Sequence, residues 1–213
     1  FSWEGSALFI EAIALGMFLY GWNKLSKWMH WVSGVIVGIS GVMSGIFVVA
    51  ANAWMNSPSG FDWVDGKPVN IDPVKAMFNA AWLSQSIHMV LAAFVSTAFA
   101  VAGIHSFLLL KRGANAFHAM AVNTALIFGS VAAVLQPLSG DFSANDVAIR
   151  QPAKLAALEA LYKTTSHADL VIGGIPNEEK QRVDYAIHVP GGLSFLAKGD
   201  FNAEVTGLDK FPK

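Results

Sequence analysis

Four long stretches of the chain are nearly free of Asp, Glu, Lys and Arg: 5–22, broken only by Glu11, then 31–53, 76–110 and 114–137. A helix that crosses a bilayer needs about 20 mostly apolar residues. Each stretch therefore predicts a spanning helix. Pro137 and Gly140 are expected to end the fourth. Buried helices of a large soluble protein are the competing reading, and four such runs in one short chain weigh against it. The pattern changes after residue 140. Residues 154–162 alternate as a short amphipathic helix. Asn177-Glu178-Glu179-Lys180, after Pro176, reads as a capped helix start, with Pro190-Gly191-Gly192 closing it. The expected fold class is all-α integral membrane. Four transmembrane helices form an antiparallel bundle over 1–140, and a polar extramembrane tail with short helices covers 141–213.

Charge sharpens this division. Residues 1–140 carry 11 of the 29 charged side chains and residues 141–213 carry 18. Lys24 and Lys27 lie between the first two spans, and Lys111 and Arg112 between the last two. The intervening loop 56–75 holds Asp62, Asp65 and Asp72 against Lys67 and Lys75. The positive-inside rule puts the two basic turns in the cytoplasm, and so puts loop 56–75 and the tail outside, in the periplasm of a bacterium. Trp22, Trp28, Trp31, Trp54 and Trp82 fall near span ends, where interfacial anchors sit. The net charge of −1 offers no basic field for nucleic acid. With no cysteine, disulfides, thiolate metal sites and thiolate catalysis are excluded. The chain opens on Phe1-Ser2-Trp3-Glu4, almost inside a helix, and is expected to be the middle of a longer polypeptide.

Ionisable groups inside a bilayer cost several kcal/mol unless partnered, which makes each a functional candidate. His88 lies in the third span, modestly below the outer surface. Imidazole is a common axial ligand of haem iron. The other reading is a histidine hydrogen-bonded to Ser84 or to a neighbouring helix, and spacing alone favours it. His30, His105 and His118 fall at cytoplasmic span ends, and His167 and His188 fall in the tail. Glu4 and Glu11, seven residues apart, share one face of the first span at about 10 Å separation. Such a pair suits a proton path or a cofactor environment. Ser44 and Asn52 could extend the polar track on the second span, although a helix-packing role for Ser44 is the commoner case.

Several motifs in order resemble subunit I of the cytochrome bd-type quinol oxidases, including the cyanide-insensitive branch. Trp3-Glu4-Gly5, Phe9-Ile10-Glu11-Ala12 and Tyr20-Gly21-Trp22 resemble the family's third helix. Residues Val48 to Met55 with Asn56 and Pro58 resemble the end of its fourth, and Ile87-His88 with Phe94 and Thr97 its fifth. Lys154-Leu-Ala-Ala-Leu-Glu159-Ala, Gly174-Ile-Pro176 and Ala186-Ile-His-Val-Pro190 resemble the start of its periplasmic quinol loop.

The resemblance implies a role for each. His88 would be an axial ligand of the low-spin haem b. Glu4 would lie beside, or ligate, haem d. Glu11, Ser44 and Asn52 would belong to the proton route, and Lys154 and Glu159 to quinol oxidation. It also implies a high-spin haem b and haem d in the full complex, ubiquinol or menaquinol as substrate, and subunit II with small accessory subunits as partners in the bacterial inner membrane. Further ligands of the family, including the methionine that completes the low-spin haem, find no counterpart here. The expected function is therefore that of one piece of a terminal quinol:oxygen oxidoreductase. The alternative is a non-enzymatic helical bundle, or part of a transporter, with Glu4 and Glu11 as proton or cation sites.

Overall fold

The computed structural model describes residues 2–212, and four of its helices are long and apolar enough to cross a membrane. They are α1 (Ser2–Tyr20), α2 (Lys27–Asn56), α4 (Trp82–Arg112) and α5 (Ala116–Arg150), with the antiparallel strands β1 (Asp62–Val64) and β2 (Lys67–Val69) and the short α3 (Pro73–Met77) between α2 and α4. At about 1.5 Å per residue the three longer ones exceed a hydrocarbon core of about 30 Å. Ser26 opens α2 by accepting a hydrogen bond from the Met29 amide. Asp72 opens α3 by accepting from the amides of Val74 and Lys75.

The chain divides into two compact units at residue 137. In the first, side-chain pairs run down one helix as they run up the next. Trp3 meets Phe47, Glu11 meets Gly41 and Phe18 meets His30 between α1 and α2. His88 meets Gln136, Phe94 meets Phe128 and His105 meets His118 between α4 and α5. Both pairs of helices are thus antiparallel. Small residues set the spacing. Ser33, Ser40, Ser44, Ala50 and Ala53 are the buried positions of α2, as small-residue packing in membranes requires. Most large apolar side chains, Ile39, Ile104, Ile127 and Val134 among them, face outward. That surface suits lipid or further helices rather than water.

Two helix boundaries differ from the apolar pattern. The run 76–110 is broken at residues 78–81, because the Asn79 side chain is buried and holds the break. Its Oδ1 accepts from the Ala81 amide at 3.1 Å and its Nδ2 donates to the Ala76 carbonyl at 3.1 Å. At the other end, α5 continues through Pro137 and Gly140 to Arg150. A proline removes only one backbone donor, and neighbouring groups in membrane helices make good that loss.

The second unit holds strands as well as helices. A short α6 (Pro152–Leu158) precedes β3 (Thr165–Ser166), β4 (Leu170–Ile172), β5 (Ile175–Asn177), β6 (Arg182–Asp184) and β7 (Ile187–Val189), then α7 (Gly192–Lys198) and β8 (Glu204–Val205). The strands pair antiparallel as β3 with β8, β4 with β7 and β5 with β6. Segment 177–180 is therefore a hairpin turn and not a helix start. Asn177 Oδ1 accepts from the Lys180 amide at 3.0 Å, the same bond that would cap a helix but here closing a turn. Leu155, Ala168, Leu193, Ala197 and Val205 form the core. Buried Ser194 ties it together, its Oγ accepting from the Ala168 amide and donating to the Ala203 carbonyl.

Candidate functional site

In the helical unit, His88 is half-buried on α4 and Gln136 reaches it from α5. The Gln136 Nε2 lies 3.3 Å from Nδ1, 3.2 Å from Nε2 and 3.4 Å from the His88 carbonyl oxygen, to which it donates. The neighbouring-helix partner expected for a structural histidine is therefore present. Met89 and Val90, the next residues, begin an apolar cleft of about 320 Å³ lined also by Gly41, Gly45, Phe94 and Phe128. Imidazole is a donor type that haem iron takes.

Glu4 and Glu11 are both half-buried on α1. A β-carbon placed on Gly41 would lie 3.6 Å from both Glu11 carboxylate oxygens, so this carboxylate rests on the glycine that also borders the apolar cleft. One placed on Gly45 would lie 3.1 Å from the Met89 methyl carbon, which sets that stretch of α2 beside His88's neighbour. Along α1 and α2, the contacts of Trp3 and Glu11 bracket Ser44. Ser44 is buried, whereas Asn52 is exposed and accepts from the Asn56 side chain at 2.7 Å. Eight residues turn a helix by about 80° beyond two full turns, so these two do not share one face.

The tail carries a second cleft of about 350 Å³, and Glu159, Tyr162, Lys163, His167, Asp169, Arg182 and His188 contribute to its walls. Glu159 is the residue just past α6, its amide bonded back to the Leu155 carbonyl at 3.0 Å. Burial pushes its carboxyl above the ordinary glutamate range. Lys154 is exposed on α6 and does not line this cleft. The amphipathic segment stops at Leu158, which aims the two residues differently. Asp169 Oδ2 sits 3.4 Å from His188 Nδ1. Among the described residues no three His, Asp or Glu side chains gather into a metal-ion cluster.

Sequence reasoning missed Gln136, Asp169 and the placement of His188. Gln136 had a signal: an uncharged amide in an apolar run, next to a proline and more than a dozen residues beyond Asn123, the preceding large polar side chain. The tail residues had none, since a strand ladder brings them together.

Four helices of spanning length, with a histidine and two carboxylates inside them, mark an integral membrane protein. Residues 1–213 match the family of cytochrome bd terminal oxidase subunit I, and the chain belongs to it. It is 35% identical over 217 residues to a Bacillus subtilis (strain 168) chain provisionally described as a cytochrome bd menaquinol oxidase subunit I, covering 100% of this chain and 49% of that one. It is 30% identical to the cytochrome bd-II ubiquinol oxidase subunit 1 of Escherichia coli (strain K12), covering 95% of this chain and 40% of the relative. Its fold superposes on the bd oxidase from Geobacillus thermodenitrificans with a TM-score of 0.86 at 36% identity, over 99% of this chain and 49% of that one. The chain thus spans about half the length of these relatives.

Proposed function

We propose that this chain is part of a respiratory quinol:oxygen oxidoreductase, in which two quinols and one dioxygen give two quinones and two waters. The full-length match to the subunit I family carries the reading. Region 1–140 spans the bacterial inner membrane and 141–213 lies on its periplasmic side, a reading that the basic turns 24–27 and 111–112 support. Ubiquinol or menaquinol binds in the tail cleft. Glu159, whose burial raises its affinity for a proton, accepts one of the protons released there. Lys154, five residues earlier on α6, serves quinol oxidation as a hydrogen-bond donor at that end of the tail. A haem b held by His88, with a high-spin haem b and haem d in the complete complex, supplies one-electron acceptance and oxygen reduction. Glu11, packed on Gly41, holds and passes protons at the α1–α2 interface. Glu4 would act nearer the outer end of α1, beside or ligating haem d, and Ser44 and Asn52 of α2 belong to the proton route. Subunit II and small accessory subunits cover the apolar outward faces.

Reduced-minus-oxidised spectra of the intact complex test this. His88→Ala should abolish the low-spin haem b band. An unchanged band would overturn the ligand assignment.

A further inference from the structure

We propose that His188, oriented by Asp169, is a second proton acceptor of the tail cleft, taking a proton from the quinol hydroxyl that Glu159 does not serve. This rests on the quinol-site reading above. Oxidising one quinol releases two protons, and a single carboxylate cannot take both before it is reset. The cleft offers few other acceptors. Lys163 and Arg182 are cationic donors, and the phenol of Tyr162 is a weak base at neutral pH. His167 Nδ1 faces only the neutral Phe201 carbonyl oxygen, at 3.0 Å, so no carboxylate among the described residues stands beside its ring.

His188 is differently placed. It lies on β7 opposite Val171 of β4, and Asp169 just precedes that strand. The hairpin ladder therefore fixes the two side chains on neighbouring strands. Asp169 Oδ2 at 3.4 Å favours the tautomer with its proton on Nδ1. The Nε2 lone pair is then the basic site, and the Asp169 carboxylate faces the other side of the ring. The pair is half-exposed, His188 at 50% and Asp169 at 41% of the side chain, so the proton can leave for water. In the step, the quinol O–H bond breaks and an N–H bond forms at His188 Nε2. The two electrons of the quinol would leave one at a time, each to the haem acceptor of the oxidase once the previous electron had moved on. Glu159, Tyr162, Lys163, His167, Asp169 and Arg182 are the other titratable groups facing the cleft, and the test must separate His188 from them.

The intact oxidase carrying this chain is compared with its His188→Gln, Asp169→Asn and Glu159→Gln variants. Three readouts are taken: the pH profile of kcat/KM with a short-chain ubiquinol and with menadiol, the binding of a 4-hydroxyquinoline N-oxide by fluorescence quenching, and the haem spectrum. His188→Gln should lower kcat/KM by about 10- to 100-fold, at or below the usual contribution of a general base. It should also erase the acid limb that protonation of the imidazole produces, with the spectrum unchanged. Asp169→Asn should lower kcat/KM by a smaller factor than His188→Gln, because the ring loses the carboxylate that faces Nδ1, again with the spectrum unchanged. Wild-type profiles for both variants, beside an impaired Glu159→Gln, would overturn the proposal alone. Wild-type turnover and inhibitor binding in all three would overturn the quinol-site reading and the proposal with it.

Discussion

The side-chain amide of Gln136 packs over the face of the His88 imidazole. Its Nε2 is nearly equidistant from the two ring nitrogens, at 3.3 and 3.2 Å. A point so placed in the ring plane would collide with a ring carbon, so the amide lies above the ring and is held by the His88 carbonyl at 3.4 Å. Residues that orient a ligating histidine typically change metal affinity about 10- to 100-fold when lost. With His88 as the proposed haem b ligand, Gln136→Leu should leave the haem b band in place but lower its occupancy, and shift its midpoint potential. Redox titration beside a haem count per complex checks both. Loss of the band altogether would instead assign Gln136 a direct part in holding the haem.

The raised proton affinity of Glu159 sets a pH dependence whose sign follows from linkage. Its folded-state pKa lies above the unfolded value, by burial. The protonated carboxyl therefore favours the folded tail. That contribution is complete below the ordinary glutamate range and is lost as pH rises through the folded value. At neutral pH the half-buried charge works against folding. Glu159→Gln should raise the melting temperature of the intact complex at pH 7 and have little effect at pH 4. The same variant should slow quinol oxidation. Stability and activity moving in opposite directions would mark Glu159 as a functional group kept at a cost.

The spanning helices were legible because a bilayer tolerates few charges, and the four runs free of them mark themselves. Helix ends were not. Asn79 breaks an apolar run with side-chain hydrogen bonds that no hydropathy pattern records, and Pro137 sits inside a helix that it would end in water. The fate of each candidate follows the same division. Glu11 and His88 were legible as polar groups in apolar surroundings. The separation of Ser44 from Asn52 needed the helix phase, and the separation of Lys154 from Glu159 needed the point where α6 stops. Asp169 and His188 meet only through the pairing of β4 with β7. Turn chemistry at Asn177 could serve a helix or a hairpin, and strand pairing across the tail decided it.

Asp209 ties the end of the tail to its start. Its Oδ1 accepts from the Thr164 amide and from the Thr164 hydroxyl, both at 2.8 Å, and that hydroxyl accepts from the Gly207 amide at 3.0 Å. The Thr164 hydroxyl bond, above all, holds the Asp209 carboxyl below the ordinary aspartate range. A depressed folded-state pKa contributes stability that is present above the unfolded value and lost as pH falls through the folded one. Thr164→Val should lower the unfolding temperature of the tail at neutral pH. The difference from wild type should shrink on acidification below the aspartate range. A pH-independent difference, read by hydrogen exchange at 164–166 and 204–209, would assign the effect to packing instead.

The approach of α5 to α4 rests on Gly129. A β-carbon there would lie 2.8 Å from the Ala98 β-carbon and 3.5 Å from the Phe99 ring. The first distance is shorter than real side chains show, and neither methyl can swing away. Gly129→Ala should push the helices apart at a level one turn from the Phe94–Phe128 ring pair, whose centroids are 5.0 Å apart. Small residues at such crossings let helix backbones approach where no hydrophobic force between helices does so. The variant should lower the yield of haem-loaded complex. Ala98→Gly removes the opposing methyl, so the double variant should recover most of that yield, beyond what either single change predicts. The glycine gained in α4 costs about 1 kcal/mol of helix propensity, which limits the recovery. Additive losses would show that Gly129 is needed for some reason other than its distance from Ala98.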